Sequence, residues 1–329
     1  MINRKMFFAL ASLLALGTAA ASQAHAQATD YPKGPVRMIS DSSPGSAVDV
    51  GLRIIADGMS KHWGQQVVIV NQPGAAGAIS ARNAAQAAPD GYTLYAPALS
   101  VFLAVPGKAP NLPLMVPRDF AAVGFTVDQP LAIGVSPALG IKTLPEFIEL
   151  AKKKPGEISY AVTGVGRLTH LMGELLQLRT GIKLQMVPYS GGSAQAFTDV
   201  VAGRIPVVME GYTGLSGQFQ SGAITPLAVA SPKRIPAAPN LPTVAETLPG
   251  FVASGWQAVL APLGTPGPIV MKANEALRIS LESADVRDKL AARGSFARPL
   301  TPAETVAVIR QQQEQWKPAL DRIAEQTQK

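Results

Sequence analysis

The sequence predicts an α/β protein of two domains whose strands run largely parallel. Short apolar runs of strand length alternate with stretches of helical spacing, which is the pattern of strand–helix–strand units. The chain of 329 residues is longer than one core usually organises, so two domains are expected. It holds no cysteine. Disulfides, thiolate metal sites and cysteine nucleophiles are therefore excluded, and packed cores must supply the stability.

Met1–Ala26 reads as a secretory signal. Arg4 and Lys5 precede the apolar Met6–Leu16, and Ala24-His25-Ala26 has the A-x-A form. The apolar stretch is too short for a permanent span, and Gln27 is the expected first mature residue. Losing the signal removes two of 29 basic residues and none of 22 acidic ones, so the charge falls from +7 to +5. Aromatics are sparse and no basic run exceeds Lys152-Lys153-Lys154. Nucleic-acid binding gets no support.

Val36–Ser40 is the first expected strand. The loop Asp41–Asp49 leads into a helix over Val50–Trp63, apolar at Ile54, Ile55 and Met59, with Asp49 as its N-cap. Gln66–Asn71 is the second strand, followed by the glycine-rich Gln72–Gly77 and an alanine-rich helix through Ala88. Pro89-Asp90-Gly91 turns the chain into the strand Tyr92–Ala96, and Ala98–Pro106 is a loop. Thr143-Leu144-Pro145-Glu146 and Thr301-Pro302-Ala303-Glu304 each open a helix as a capping box. Between them lie the strands Ile158–Val162, Lys183–Pro188 and Ile205–Met209 and the helix Leu168–Arg179, and Leu263–Lys329 is helical.

Two turns of small residues, Thr163–Arg167 and Tyr189–Ser193, each deliver a strand to a helix start. Such starts leave N–H groups unpaired and carry partial positive charge, so they suit an anion. The candidate ligand contacts there are Thr163, Gly166, Arg167, Thr169, Tyr189, Gly191 and Ser193. Gly164-Val165-Gly166-Arg167-Leu168-Thr169 is one glycine short of a dinucleotide fingerprint, and the acidic residue needed about twenty positions on is missing. No cofactor is expected. Beyond the signal only His62 and His170 remain, far apart, and H-E-x-x-H and G-x-S-x-G are both absent. No metal and no catalysis are expected; a secreted α/β hydrolase is the alternative.

YPKGPVRMI, SPGSAVD and VIVNQPGAAGAISARNAAQAAPDGYTL resemble the start of mature Bug-family receptors, the extracytoplasmic solute-binding proteins of tripartite tricarboxylate transporters. The likeness continues through ISYAVTGVGRLTHLMGELL, MVPYSGGSAQAFTDVVAGRI and LAVASPKRIPAAPNLPTVAETLPGF to APLGTP, over essentially the whole mature chain. The resemblance implies a two-lobed periplasmic binding protein of the Venus-flytrap kind, with the ligand cleft between lobes. Residues 27–128 and 253–329 would form lobe 1 and residues 129–252 lobe 2, with crossovers near Val127–Pro130 and Pro249–Gly255. It further implies a periplasmic monomer that binds a small organic carboxylate and works with the membrane components of such a transporter.

Departures from the family pattern supply the remaining candidates. The family's first loop usually reads P-F-P-P-G-G-x-x-D; here it offers the hydroxyls of Ser42, Ser43 and Ser46, ending at Asp49. After the strand Tyr92–Ala96, relatives tend to carry Thr, Asn, Gly and His. This chain has Ala98-Leu99-Ser100-Val101-Phe102, with Ser100 and Phe102 as candidates. Such a wall favours a ligand with an apolar body, unless the loop turns outward. Arg167 replaces a small residue and opposes the helix dipole; it either forks onto a buried carboxylate or reaches solvent. Glu210 stands where the family often has aspartate, and either accepts from a ligand amino group or caps a loop. Tyr189 is a cleft wall or a core residue, His170 makes a structural hydrogen bond, and Trp256 packs in the core or lines the hinge. Phe102 and Arg167 together favour an aromatic mono- or dicarboxylate over citrate-like or amino-acid carboxylates.

Overall fold

The computed structural model describes residues 30–103, 114–189 and 192–327. The expected signal and the candidate Gly191 lie outside the described residues. Strand β1 (Val36–Ser40) leads through a serine-rich loop to helix α1 (Ala47–Trp63), and β2 (Val67–Asn71), α2 (Ala78–Ala85) and β3 (Thr93–Ala96) follow. The long β4 (Phe120–Val135) carries the chain into a second unit. That unit holds α3 (Leu144–Lys153), β5 (Ser159–Val162), α4 (Leu168–Thr180), β6 (Gln185–Pro188), α5 (Ser193–Val201), β7 (Val207–Gly211), α6 (Tyr212–Gln220), β8 (Thr225–Val229) and α7 (Val244–Thr247). Strand β9 (Ser254–Pro262) returns, and α8 (Gly267–Glu282), α9 (Ala284–Ala291), β10 (Phe296–Ala297) and α10 (Pro302–Thr327) complete the chain.

The strand order is β2-β1-β3-β9-β4-β7-β5-β6, with β8 and β10 also paired to β4. Parallel pairing forms two groups: β1 with β2 and β3, and β5 with β6 and β7. Strand β4 joins them by changing partner part-way. Its residues from Phe120 to Pro130 run antiparallel to β9, and those from Leu131 to Val135 run antiparallel to β7. Pro130 stands at the exchange, where a residue with no N–H to donate leaves a ladder most easily. Two lobes with a cleft between them follow from this exchange.

Helix α1 buries Leu52, Ile55, Ala56 and Met59, a stripe at i, i+3, i+4 and i+7 that faces α8. Gly64, at φ 62, ends the helix in the left-handed conformation. The helix begins three residues before Val50, because Ser46 and not Asp49 is the N-cap: the Ser46 side chain accepts from the N–H of Asp49. Both expected capping boxes form, Thr143 with Glu146 and Thr301 with Glu304. A third, Thr243 with Glu246, opens α7.

Candidate ligand cleft

A cavity of about 720 Å³ lies between the lobes. From lobe 1 it is lined by Ser42–Val48 after β1, Pro73–Ala75 after β2 and Ala98–Ser100 after β3. Lobe 2 contributes Thr163–Val165 and Arg167–Thr169 after β5, Gly192–Ala194 after β6, and Glu210–Gly211 at the end of β7. Pro188, Phe197 and Gly214 of lobe 2, Gln129 and Leu131 of β4, and Gly255 and Trp256 of β9 complete it. Every loop in this set follows the carboxyl end of a parallel strand, which is where open α/β sheets bind ligands.

The first loop is braced before any ligand arrives. Asp49 is buried, and its Oδ2 accepts from the Gly45 N–H at 2.8 Å and from Arg53 Nε at 3.0 Å. Asn71 Nδ2 donates to Asp49 Oδ1 at 2.8 Å and to the Ser42 carbonyl at 3.1 Å. Burial pushes the Asp49 carboxyl upward, but the bonds from Arg53, Asn71 and Gly45 outweigh it and hold the group below the usual range. Asp49 therefore does not line the cleft as expected; it fixes the loop that carries Ser42, Ser43 and Ser46.

Arg167 is the N-cap residue of α4 and makes no capping bond. Its guanidinium crosses to lobe 1 instead. One Nη1 lies 3.2 Å from Asp41 Oδ2 and 3.2 Å from Ser100 Oγ. Asp41 is fully buried, and its other oxygen accepts from the Ala98 N–H at 3.0 Å. Gly77, at φ 95, keeps this corner open: a Cβ there would sit 3.1 Å from Asp41 Oδ2 and 2.7 Å from Val101 Cγ2. A buried carboxylate does explain the misplaced arginine, but it belongs to the protein.

The turn after β5 is closed by its own side chains. Thr169 Oγ1 accepts from the Thr163 N–H and lies 3.2 Å from Thr163 Oγ1. The Gly166 N–H donates to His170 Nδ1 at 3.0 Å. Gly166 is thereby removed from the candidate contacts, since its one donor is spent inside the turn. His170 makes the structural bond expected of it.

Glu210 sits where two helix starts converge. Its Oε1 accepts from the N–H of Gly211, the residue before α6, at 2.7 Å, and its Oε2 accepts from the hydroxyl of Ser193, the first residue of α5, at 3.0 Å. Burial pushes this carboxyl above the usual range, against the opposing effects of Gly211, Ser193 and Arg167.

The structure thus brings Ser42, Ser43, Ser46, Ser100, Thr163, Arg167, Thr169, Ser193 and Glu210 to one cavity. Two further candidates fall in the core. Phe102 is wholly buried and packs on Trp256 with ring centroids 5.3 Å apart, because the turn Leu99–Phe102 directs Ser100 to the cleft and Phe102 away from it. Tyr189 is buried among Ala196, Val200 and Val208, and its hydroxyl donates to Asp199 at 2.5 Å. Sequence reasoning missed Asp41, Gln129, Leu131 and Phe197. None of the four carried a signal in the sequence; Asp41 is an acid at a strand end until the fold brings Arg167 to it.

The family profile described as Tripartite tricarboxylate transporter family receptor matches residues 52–324. Protein BugT of Bordetella pertussis is 36% identical over 291 residues, covering 88% of this chain and 89% of BugT. A structure of the periplasmic binding protein BugD superposes with a TM-score of 0.80 at 30% identity, over 89% of this chain and 99% of that one. R. palustris Rpa4515, solved with adipate, superposes with a TM-score of 0.83 at 29% identity, over 89% and 98% of the two chains. With a profile match across most of its length and relatives of this closeness, the chain belongs to the receptor family of the tripartite tricarboxylate transporters, that of the Bug proteins.

Proposed function

We propose that this receptor is exported by cleavage of Met1–Ala26, captures a small organic carboxylate with an apolar body, and delivers it as a monomer to a tripartite tricarboxylate transporter. The observation that carries the reading is the composition of the cleft. The starts of α1, α4 and α5 all open into it, and each offers unpaired N–H groups and partial positive charge to an anion. Ser42, Ser43, Ser46 and Ser100 line the same cavity, the hydroxyls of Ser42, Ser46 and Ser100 already paired with Ser40, the Asp49 N–H and Arg167, and Leu99, Leu131, Leu168 and Phe197 supply apolar wall. Citrate would set polar groups against these walls at a cost in desolvation. A benzene mono- or dicarboxylate would not, with Phe197 in the role first expected of Phe102. Adipate, which the R. palustris relative holds, likewise joins carboxylates through a methylene body. The lobes hinge, in this reading, where residues 128–130 and 252–254 cross between them.

Denaturant unfolding of the mature protein against a broad panel of carboxylates tests the proposal. A ligand at a hundred times its Kd is expected to add about 2.7 kcal/mol, with benzene carboxylates and long-chain acids ahead of citrate. A panel without any stabilising acid would remove the receptor reading. Hydrolysis of generic esters that vanishes in Ser193→Ala would replace it with the hydrolase.

A further inference from the structure

Arg167 and Glu210 are the two charged residues that line the cleft among the described residues. They are not equally free. Arg167 is held by Asp41 across the cleft at 3.2 Å. Glu210 has two donors, the Gly211 N–H and the Ser193 hydroxyl, and both are uncharged. No ion pair among the described residues includes Glu210. Each of its oxygens has taken one hydrogen bond, and each has a second lone pair to offer. One cation therefore stands against two carboxylates, Asp41 and Glu210, around a space the size of a small ligand.

We infer that Glu210 is the recognition point for a cationic nitrogen, so that the captured carboxylate also carries an ammonium group. The inference rests on the carboxylate-receptor reading and narrows it. The carboxylate of such a ligand meets the helix starts and serines, and its nitrogen donates to the free lone pairs of Glu210. A second carboxylate in that place would add a like charge in a site where water screens poorly. An ammonium group there leaves the filled cleft no more negative than Asp41, Glu210 and Arg167 make it, whereas a second carboxylate would add two further negative charges with the first. Burial already opposes the ionised form of Glu210, so a bound cation relieves a cost that the empty cleft carries.

The test compares acids that share one skeleton and differ at the far end. Terephthalate, para-(aminomethyl)benzoate and para-ethylbenzoate form one such set; adipate, ε-aminocaproate and caproate form another, within a library of further amino acids, diacids and simple acids. Calorimetry on the mature protein is expected to rank the amino form about tenfold or more above its diacid in the skeleton that binds best. Glu210→Gln is expected to abolish or reverse that ranking. On acidification the amino form should weaken as Glu210 takes up a proton; the charged group that faces Glu210 is Arg167 at the start of α4, with Asp41 behind it. The ranking and the response to acid use the wild-type protein alone and hold even if Glu210→Gln fails to fold. A diacid or simple acid bound more tightly than every amino acid, and more tightly still at low pH, would overturn the inference and leave the receptor reading intact. Silence of the whole library would overturn both.

Discussion

Arg167 shows how one residue resolves a local conflict with a distant partner. A cation at a helix start costs a few tenths of a kcal/mol against the dipole. Leaving Asp41 fully buried without its cation costs considerably more. The larger effect decides, and the side chain leaves its own helix for the opposite lobe. Arg167 is 24% exposed, so the loss on removing it is expected below the range for wholly buried pairs. Arg167→Ala should lower unfolding stability by about 1–3 kcal/mol in urea titration. Arg167→Lys should restore part of this, since a shorter side chain brings a cation toward Asp41 but does not place a donor where Nη1 meets both Asp41 and Ser100. An unchanged midpoint in both would mean that Asp41 is satisfied without the arginine. The sequence marked Arg167 as unusual, yet its partner stands 126 residues away, beyond any local pattern.

Among the elements, helices were more legible than loops because their signals are local. The stripe of α1 and the boxes at Thr143 and Thr301 depend on residues three or four apart. The start of α1 was misplaced because Ser46 and Asp49 are both good caps, and only the hydrogen bonds of Asp49 to Gly45, Arg53 and Asn71 exclude it. Gly58 offers a test of how tightly α1 packs. A Cβ there would lie 2.2 Å from Ser280 Oγ and 2.8 Å from Val286 Cγ2. The serine is tied to the Ile55 carbonyl at 2.8 Å, so it cannot yield freely. Alanine gains about 1 kcal/mol of helix propensity, whereas overpacking costs about 1–3 kcal/mol, and the clash is severe enough to prevail. Gly58→Ala should destabilise the protein in thermal unfolding and leave ligand affinity unaltered. A raised midpoint would show that α1 and α8 separate without cost.

At the scale of the whole molecule, β4 and β9 bind the two parallel groups into one sheet, and side chains add further links. Thr213 Oγ1 donates to the Arg293 carbonyl at 2.7 Å, Arg322 Nε donates to Glu174 at 2.9 Å, and Arg167 meets Asp41 across the cleft. The first two lie away from the cleft, and Arg167 lines it. Asp41→Ala should therefore let the empty lobes part, seen as a larger radius of gyration in small-angle scattering, and ligand should restore the wild-type dimension. Equal scattering of the two empty proteins would mean that the outer links alone set the closure.

Read without the fold, the chain already shows the alternation of strands and helices, the principal caps, the absence of cysteine and the loops that line the cleft. These follow from spacing and residue type, which act over one or two turns of chain. The tertiary structure decided which side of the turn Leu99–Phe102 faced the cleft, whether Tyr189 was wall or core, and what Arg167 and Glu210 met. Those outcomes depend on contacts between segments far apart in the chain. Charge and burial there are set by the fold of both lobes together, and no local pattern encodes them.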